Sequence, residues 1–217
     1  MFVGHYGVSF AAKRGDKTIP LWTLFLAVQL LDVGWGILVP LGVEKVRIVP
    51  GITASNPLDL YYMPFTHSLV AALLWSLGVY AACRSMRAFG ASHRAALLVA
   101  AAVFSHWVRD VIEHRPDLPV YDDTLKLGLG LWNYRAPAFL LEVAVLFGGM
   151  LLYLRSTAAS TPLGHYGMPV FGVIMLLVQA AVFFGPPPPS AGAAALTALL
   201  LYSLFAGVAG WLDRQRS

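Results

Sequence analysis

The sequence predicts an all-α bundle of transmembrane helices, and three observations support this. Of the 217 residues, 58% are hydrophobic and only 12% are charged, whereas soluble domains carry about 25% charged residues. The mean hydropathy is +0.69. The apolar residues also fall into long runs, and a membrane-spanning helix needs about 20 such residues. Together these features are typical of a polytopic membrane protein.

The apolar runs predict the helices in order along the chain. Residues 1–12 are apolar but too short to cross a bilayer alone, so a half-spanning or interfacial helix is expected there. A proline-rich stretch at 185–190 predicts a stiff turn between the last two spans. About five to six spans are expected in total, at residues 19–41, 61–82, 95–112, 136–154, 167–184 and 191–212.

The distribution of Lys and Arg predicts the orientation of the chain. More Lys and Arg residues lie at one set of span ends than at the opposite set. The richer set comprises the segments near residues 13–17, 84–94, 155 and 214–216. The positive-inside rule places this side, with the C-terminus, in the cytoplasm of a bacterial-type inner membrane. The long loops 42–60 and 115–135 then face outward. The net charge of +4 is interpreted as this topology bias, so no nucleic-acid partner is expected.

Ionisable residues interrupt several of the apolar runs. His106, Asp110 and His114 follow one another at intervals of four, which places them on one face of a helix. His67 and Asp32 interrupt two other runs. Ionisable groups at membrane depth cost several kcal/mol each and usually mark a functional site. In the predicted orientation these groups lie at similar depths in neighbouring helices.

These residue types are those of a metal centre. A hydrolytic metal site needs neutral imidazoles and carboxylates that converge from several directions. His106 and Asp110 could supply two ligands from one helix, and His67 a third. Asp32 and Glu142 could be further ligands, partners that fix a histidine tautomer, or a general base. The alternative is a buried pair of His106 and Asp110 that only ties helices together.

Several other polar residues have open assignments. His5 could reach into the bundle or remain an interfacial histidine. His114 lies at the outer end of its helix, where a solvated histidine is expected. Arg109 could pair within its helix or hold an anionic headgroup. His93 and His165 lie at the predicted cytoplasmic ends, and no functional role is expected for them.

A family resemblance extends this reasoning. The elements Gly4-His5, Asp32, Thr66-His67-Ser68 and Ser105-His106 with Asp110 resemble the YdjM-type family of LexA-binding, inner-membrane-associated metal-dependent hydrolases. The resemblance covers residues 1–155, so 156–217 are expected to be an addition of two helices. That family is distantly similar to zinc-dependent phospholipase C, in which a His and Asp cluster binds zinc and cleaves phosphoesters.

The resemblance implies roles for particular residues. His5, His67, His106 and Asp110 would be metal ligands, with Asp110 as a possible bridge between two metals, and Asp32 would be the base. The implied cofactor is a divalent metal, with zinc favoured, as one or two ions. His114, Glu142 and Arg109 would be additional members of the site.

The expected function is that of a membrane-embedded metal-dependent hydrolase. The resemblance implies that its substrate would be a phosphoester, and a site within the bilayer suits a lipid or lipid-linked amphiphile. Two other classes remain open. A transporter or proton-coupled permease also places His and Asp at one depth. A haem protein would need two facing histidines, for which His67 and His106 could serve.

Overall fold

The architecture is an all-α bundle, as the sequence predicts, and it also contains one small strand hairpin that the sequence analysis does not predict. It is a computed structural model, and it describes residues 2–216. Within this part of the chain, two strands, β1 (Lys45–Ile48) and β2 (Leu58–Tyr62), pair antiparallel. The helices there are α1 (His5–Gly15), α2 (Leu21–Val28), α3 (Leu30–Leu38), α4 (Leu69–Ser85), α5 (His93–Glu113), α6 (Arg135–Ser156), α7 (Pro162–Phe184) and α8 (Ala191–Asp213).

Four helices of the described chain, α5 to α8, are long and apolar enough to cross a membrane. The helices α2 and α3 together would make a fifth span, although they are bent by 54° relative to one another. The apolar helix α4 has 17 residues, which is shorter than a typical span. The structure therefore has the helices of a polytopic membrane protein, at the lower end of the predicted number.

The first predicted span, 19–41, is a broken helix rather than a continuous one. At the break, Gln29 has φ −106° and ψ 7°, which lie outside the helical range. Its buried side-chain amide donates a hydrogen bond to the Phe2 carbonyl at 3.0 Å. Broken helices are tolerated at membrane depth where protein groups satisfy the freed polar atoms. The break places Asp32 in the first turn of α3.

The second predicted span, 61–82, is wrong at its beginning. Its first two residues belong to β2, where Tyr62 pairs with Lys45. The helix α4 begins only at Leu69, and the Ser68 side chain caps it by accepting a hydrogen bond from the Ala71 amide at 3.0 Å. His67 consequently lies in the turn before α4, not two turns inside a helix.

The helix α1 inserts into the bundle interior and half-spans it. Its 11 residues rise about 16 Å at 1.5 Å per residue. One face of α1 is buried, and it includes His5, Tyr6 and Phe10. Gly7 of α1 and Gly149 of α6 bring the two backbones into contact, since a Cβ on either glycine would overlap the other helix. This close approach holds His5 at the centre of the molecule.

The two ends of the bundle differ in chemistry. At one end, called the basic end, the ammonium of Lys13 pairs with Asp213 at 2.9 Å and so joins α1 to α8. Arg216 donates hydrogen bonds to the Thr157 hydroxyl and to backbone carbonyls at the same end. The opposite end, called the loop end, is formed by residues 39–68 and 114–134. The polar groups described next lie toward the loop end.

Candidate metal centre

Four segments of the chain bring ionisable side chains together inside the bundle. These segments are the first turns of α1 and α3, the turn before α4, and the last third of α5 with its C-terminal cap. All the imidazoles are buried, and the Asp32 side chain is 15% exposed. The side chains are His5, Asp32, His67, His106, Asp110 and His114.

Asp110 is at the centre of this cluster. Its Oδ2 lies 3.1 Å from Nε2 of His106 and 3.7 Å from Nε2 of both His67 and His114. Its Oδ1 lies 3.3 Å from Nε2 of His5. One carboxylate therefore faces four imidazoles, with one oxygen toward α1 and the other toward the remaining three.

Asp32 approaches the same imidazoles from α3. Its Oδ1 lies 3.2 Å from Nε2 of His67 and 3.5 Å from Nε2 of His106. Its Oδ2 accepts a hydrogen bond from the Tyr202 hydroxyl at 2.7 Å. The Tyr202 contact comes from α8, so the C-terminal pair of helices contributes to the site. The division of the chain at residue 155 remains a prediction.

Two overlapping groups in the cluster have ligand atoms close enough to hold a metal ion. One group is His5, His106 and Asp110, and the other is Asp32, His67 and His106, with all ligand atoms of each group within 4.8 Å of one another. His106 belongs to both, and its ring stacks on that of His5 with centroids 4.0 Å apart. Such a donor set of imidazole nitrogens and carboxylate oxygens is typical of zinc and other transition metals.

The tautomer of His106 follows from its hydrogen bond to the backbone. Its Nδ1 lies 2.6 Å from the carbonyl oxygen of Val28. A carbonyl only accepts hydrogen bonds, so Nδ1 must carry the proton. In the neutral ring, Nε2 then presents a lone pair toward Asp110 and Asp32, which is the arrangement of a metal ligand.

His67 is fixed in the same way by a short relay. The Thr66 hydroxyl donates to the Glu44 carboxylate at 2.7 Å, which leaves its oxygen to accept from Nδ1–H of His67 at 2.6 Å. The backbone amides of Phe65 and Thr66 each donate to Glu44 at 2.9 Å. The lone pair of the His67 Nε2 consequently faces the cluster.

His114 is oriented by a carboxylate. Its Nδ1–H donates to Asp117 at 2.8 Å, and Arg115 donates to the other oxygen of Asp117 at 3.2 Å. The prediction of a solvated histidine is wrong, because His114 is buried. The loop after α5 folds back over it: the amide of Gly130 donates to the His114 carbonyl, and the Trp132 ring lies 4.1 Å from its ring.

Some buried nitrogens of the cluster have no hydrogen-bond partner within residues 2–216. They are Nε2 of His106 and both ring nitrogens of His5. Buried polar atoms are almost always satisfied, so such orphans need an explanation. A cation between the imidazole lone pairs and the carboxylates would satisfy Nε2 of His106 and Nε2 of His5, which faces Asp110, and the donor chemistry fits a divalent metal.

Glu142 and Arg109 lie beside the cluster and serve the N-terminal segment. Glu142 accepts hydrogen bonds from the amides of Gly4 at 2.6 Å and Phe2 at 3.4 Å. Arg109 donates to the Gly4 carbonyl at 3.3 Å. These contacts position the residue before His5. His93 and His165 are exposed and lie away from the cluster, as expected.

A cavity of about 740 Å³ adjoins the cluster at the loop end. Asp32, His67 and His114 border it on one side, and α7 and α8 border it on the other. Small-molecule sites typically have volumes of about 300–1,000 Å³. The edge of the cluster formed by Asp32, His67 and His114 therefore adjoins a cavity of ligand size.

Sequence reasoning did not find three supporting residues, Glu44, Asp117 and Tyr202. Asp117 follows His114 by three residues, a spacing that could have indicated a hydrogen bond. Glu44 and Tyr202 are 22 and 170 residues from their partners, so only the fold brings them to the site.

Comparisons with protein-family models, curated proteins and solved structures found no match to this chain.

Proposed function

We propose that this protein is a membrane-embedded metal-dependent hydrolase that cleaves a phosphoester bond of a lipid or lipid-linked substrate. The proposed cofactor is zinc, as one or two ions. The observation that carries the proposal is the common orientation of three imidazoles. His67, His106 and His114 each donate from Nδ1 to an outer acceptor and direct Nε2 toward Asp110.

This orientation favours a metal over a structural ion pair. Histidine ligands of metals usually donate their other ring N–H to a carboxylate, carbonyl or similar acceptor, which fixes the tautomer. Without a metal, each Nε2 at 3.1–3.7 Å from a carboxylate oxygen would have to carry a second proton, because a neutral ring with Nδ1–H would oppose acceptor to acceptor.

The proposed roles follow from position in the cluster. His5, His67, His106 and His114 would be ligands, and Asp110 would bridge two metal positions because its two oxygens face different imidazoles. A divalent metal held there would polarise a phosphoryl oxygen and lower the pKa of bound water toward neutrality. Asp32 is the proposed general base, since Tyr202 holds one of its oxygens and the residue borders the cavity.

The geometry gives less support to a haem site. The rings of His67 and His106 have centroids 5.4 Å apart, and both direct Nε2 toward Asp32. The carboxylate thus occupies the region between the two nitrogens, which suits a small cation better than a macrocycle. A transporter would also use buried His and Asp, and the experiment below separates it from a hydrolase.

The test is hydrolysis of bis(p-nitrophenyl) phosphate by the purified, zinc-loaded protein in detergent. We expect turnover that His106→Ala lowers by more than about 100-fold, because the variant loses a ligand shared by both metal positions. His93→Ala is the matched control, since His93 is exposed at the basic end, and we expect full activity. Equal activity of wild type and His106→Ala, or no turnover with zinc or manganese, would contradict the proposal.

A further inference from the structure

The C-terminal hairpin, defined as α7, the linker 185–190 and α8, forms one wall of the cavity beside the metal centre. The side chains that it contributes to the cavity wall are predominantly apolar. On the α8 side, several of them are small. The lining extends along α8 from Ala193 to Tyr202, a length of about 14 Å at 1.5 Å per residue. The apolar part of the wall includes Val178, Val182, Phe183, Ala194, Ala198 and Leu201.

The apolar part of the cavity along α7 and α8, called the slot, is continuous with the polar cluster. The same cavity is bordered by Asp32, His67 and His114. Tyr202 marks the junction, because it lines the cavity and its hydroxyl donates to Asp32. A single ligand could therefore place a polar group at the cluster and an apolar group along the hairpin.

Two residues on the hairpin side of the slot have exposed side chains. Val182 of α7 is 53% exposed, and Thr197 of α8 is exposed, while both line the cavity. Both residues belong to helices that are long and apolar enough to span a membrane. Exposed surface on two such helices faces lipid chains rather than water.

We infer that the slot binds the hydrocarbon chain of the substrate, which is therefore a membrane amphiphile that enters laterally between α7 and α8. The inference rests on the proposed function in one respect, namely that the bond cleaved in this substrate is a phosphoester. The chain lies against Val182, Ala194 and Ala198, and the headgroup lies beside Asp32, His67 and His114, which line the same cavity. This gives the C-terminal hairpin a role in substrate binding.

The probe for this inference is dodecyl phosphate with a photoreactive diazirine on its chain. The zinc-loaded protein is irradiated with the probe in phospholipid nanodiscs, and the labelled peptides are identified by mass spectrometry. We expect labels concentrated at residues 178–183 and 193–202. A 100-fold excess of unlabelled dodecyl phosphate should remove most of this labelling.

Two tryptophan substitutions on α8 give a matched comparison. Ala198→Trp fills the slot and should lower slot labelling about ten-fold, with unchanged metal content. Leu204→Trp adds the same side chain at a position that is 57% exposed and does not line the cavity, and labelling should not change. If Ala198→Trp does not fold, as judged by gel filtration, Ala194→Phe takes its place.

The outcomes separate the inference from the proposed function. Slot labelling that responds to Ala198→Trp, without hydrolysis of any phosphodiester, would support the inference and contradict the proposed function. Hydrolysis of bis(p-nitrophenyl) phosphate with labels spread evenly over all lipid-facing helices would overturn the inference alone. Labelling that is equal in Ala198→Trp and wild type would also overturn it.

Discussion

Individual residues in the cluster are oriented by three different kinds of acceptor. A backbone carbonyl fixes His106, a threonine hydroxyl fixes His67 and a carboxylate fixes His114. Each partner binds Nδ1 and so leaves Nε2 directed inward. This common result from unrelated local structures is difficult to explain as packing alone, and it is the basis of the residue-level predictions.

Thr66→Val should weaken metal binding without removing a ligand. The substitution keeps the shape of the side chain but removes the acceptor for Nδ1–H of His67. Loss of such an outer hydrogen bond typically lowers metal affinity about 10–100-fold. The zinc dissociation constant is measured by competition with a chromogenic chelator. Thr18→Val, at an exposed threonine outside the cluster, is the control, and equal constants for both variants would contradict the relay.

Asp32→Asn should retain metal and lose rate. The amide oxygen can still accept from Tyr202, but the side chain no longer acts as a base at neutral pH. We expect unchanged metal content with turnover of bis(p-nitrophenyl) phosphate lowered by about 100-fold or more. Loss of metal together with rate would identify Asp32 as a ligand instead, and full activity would exclude the base role.

Sequence reasoning named the ionisable residues of the site but not the partners that orient their rings. The interval of four between His106 and Asp110 indicated a shared helix face, and they contact each other. The resemblance implied that His5 and His67 belong with them, and both lie at Asp110. Metal ligation by these residues remains a prediction. The partners that orient the rings are set by tertiary contacts, for which the sequence has no periodic pattern.

At the scale of elements, the contact between α1 and α6 positions His5. Gly149→Ala should destabilise the protein by about 1–3 kcal/mol, because the new Cβ would overlap the α1 backbone at Gly7. Its neighbour Gly148 has nothing within 4 Å of an added Cβ. Gly148→Ala should therefore be neutral or stabilise by up to about 1 kcal/mol through helix propensity.

Melting curves in detergent test this pair of variants. We expect a lower melting temperature for Gly149→Ala and an unchanged or higher one for Gly148→Ala. Similar shifts for both substitutions would show that α1 does not pack on α6 through its backbone.

Hydropathy predicted the long helices well and the interrupted segments poorly. The runs 95–112 and 191–212 correspond closely to α5 (His93–Glu113) and α8 (Ala191–Asp213). The run 19–41 corresponds to the broken pair α2 and α3, and the run 61–82 begins in β2 rather than in a helix, because hydropathy reports apolar side chains but not hydrogen-bond partners. Gln29 bonds to Phe2 at the break between α2 and α3, and β1 pairs with β2 where a helix was expected.

For the whole molecule, the distribution of basic residues predicts that the basic end is cytoplasmic. Single cysteines are introduced into a Cys83→Ser background and labelled in intact cells with a membrane-impermeant thiol reagent. Tyr121→Cys, at an exposed position of the loop end, should be labelled, and Arg214→Cys at the basic end should be protected. Strong labelling of Arg214→Cys with protection of Tyr121→Cys would show the inverted orientation.

The measurement that tests the central claim most directly is the metal-to-protein ratio of the purified chain, determined by elemental mass spectrometry after zinc exposure and removal of free metal. We predict about one or two ions per chain for wild type and for His93→Ala. His106→Ala and Asp110→Ala should bind far less, with melting curves showing that they remain folded despite some loss of stability. Wild type without metal, or His106→Ala and Asp110→Ala with the full wild-type ratio, would contradict a metal centre in this cluster.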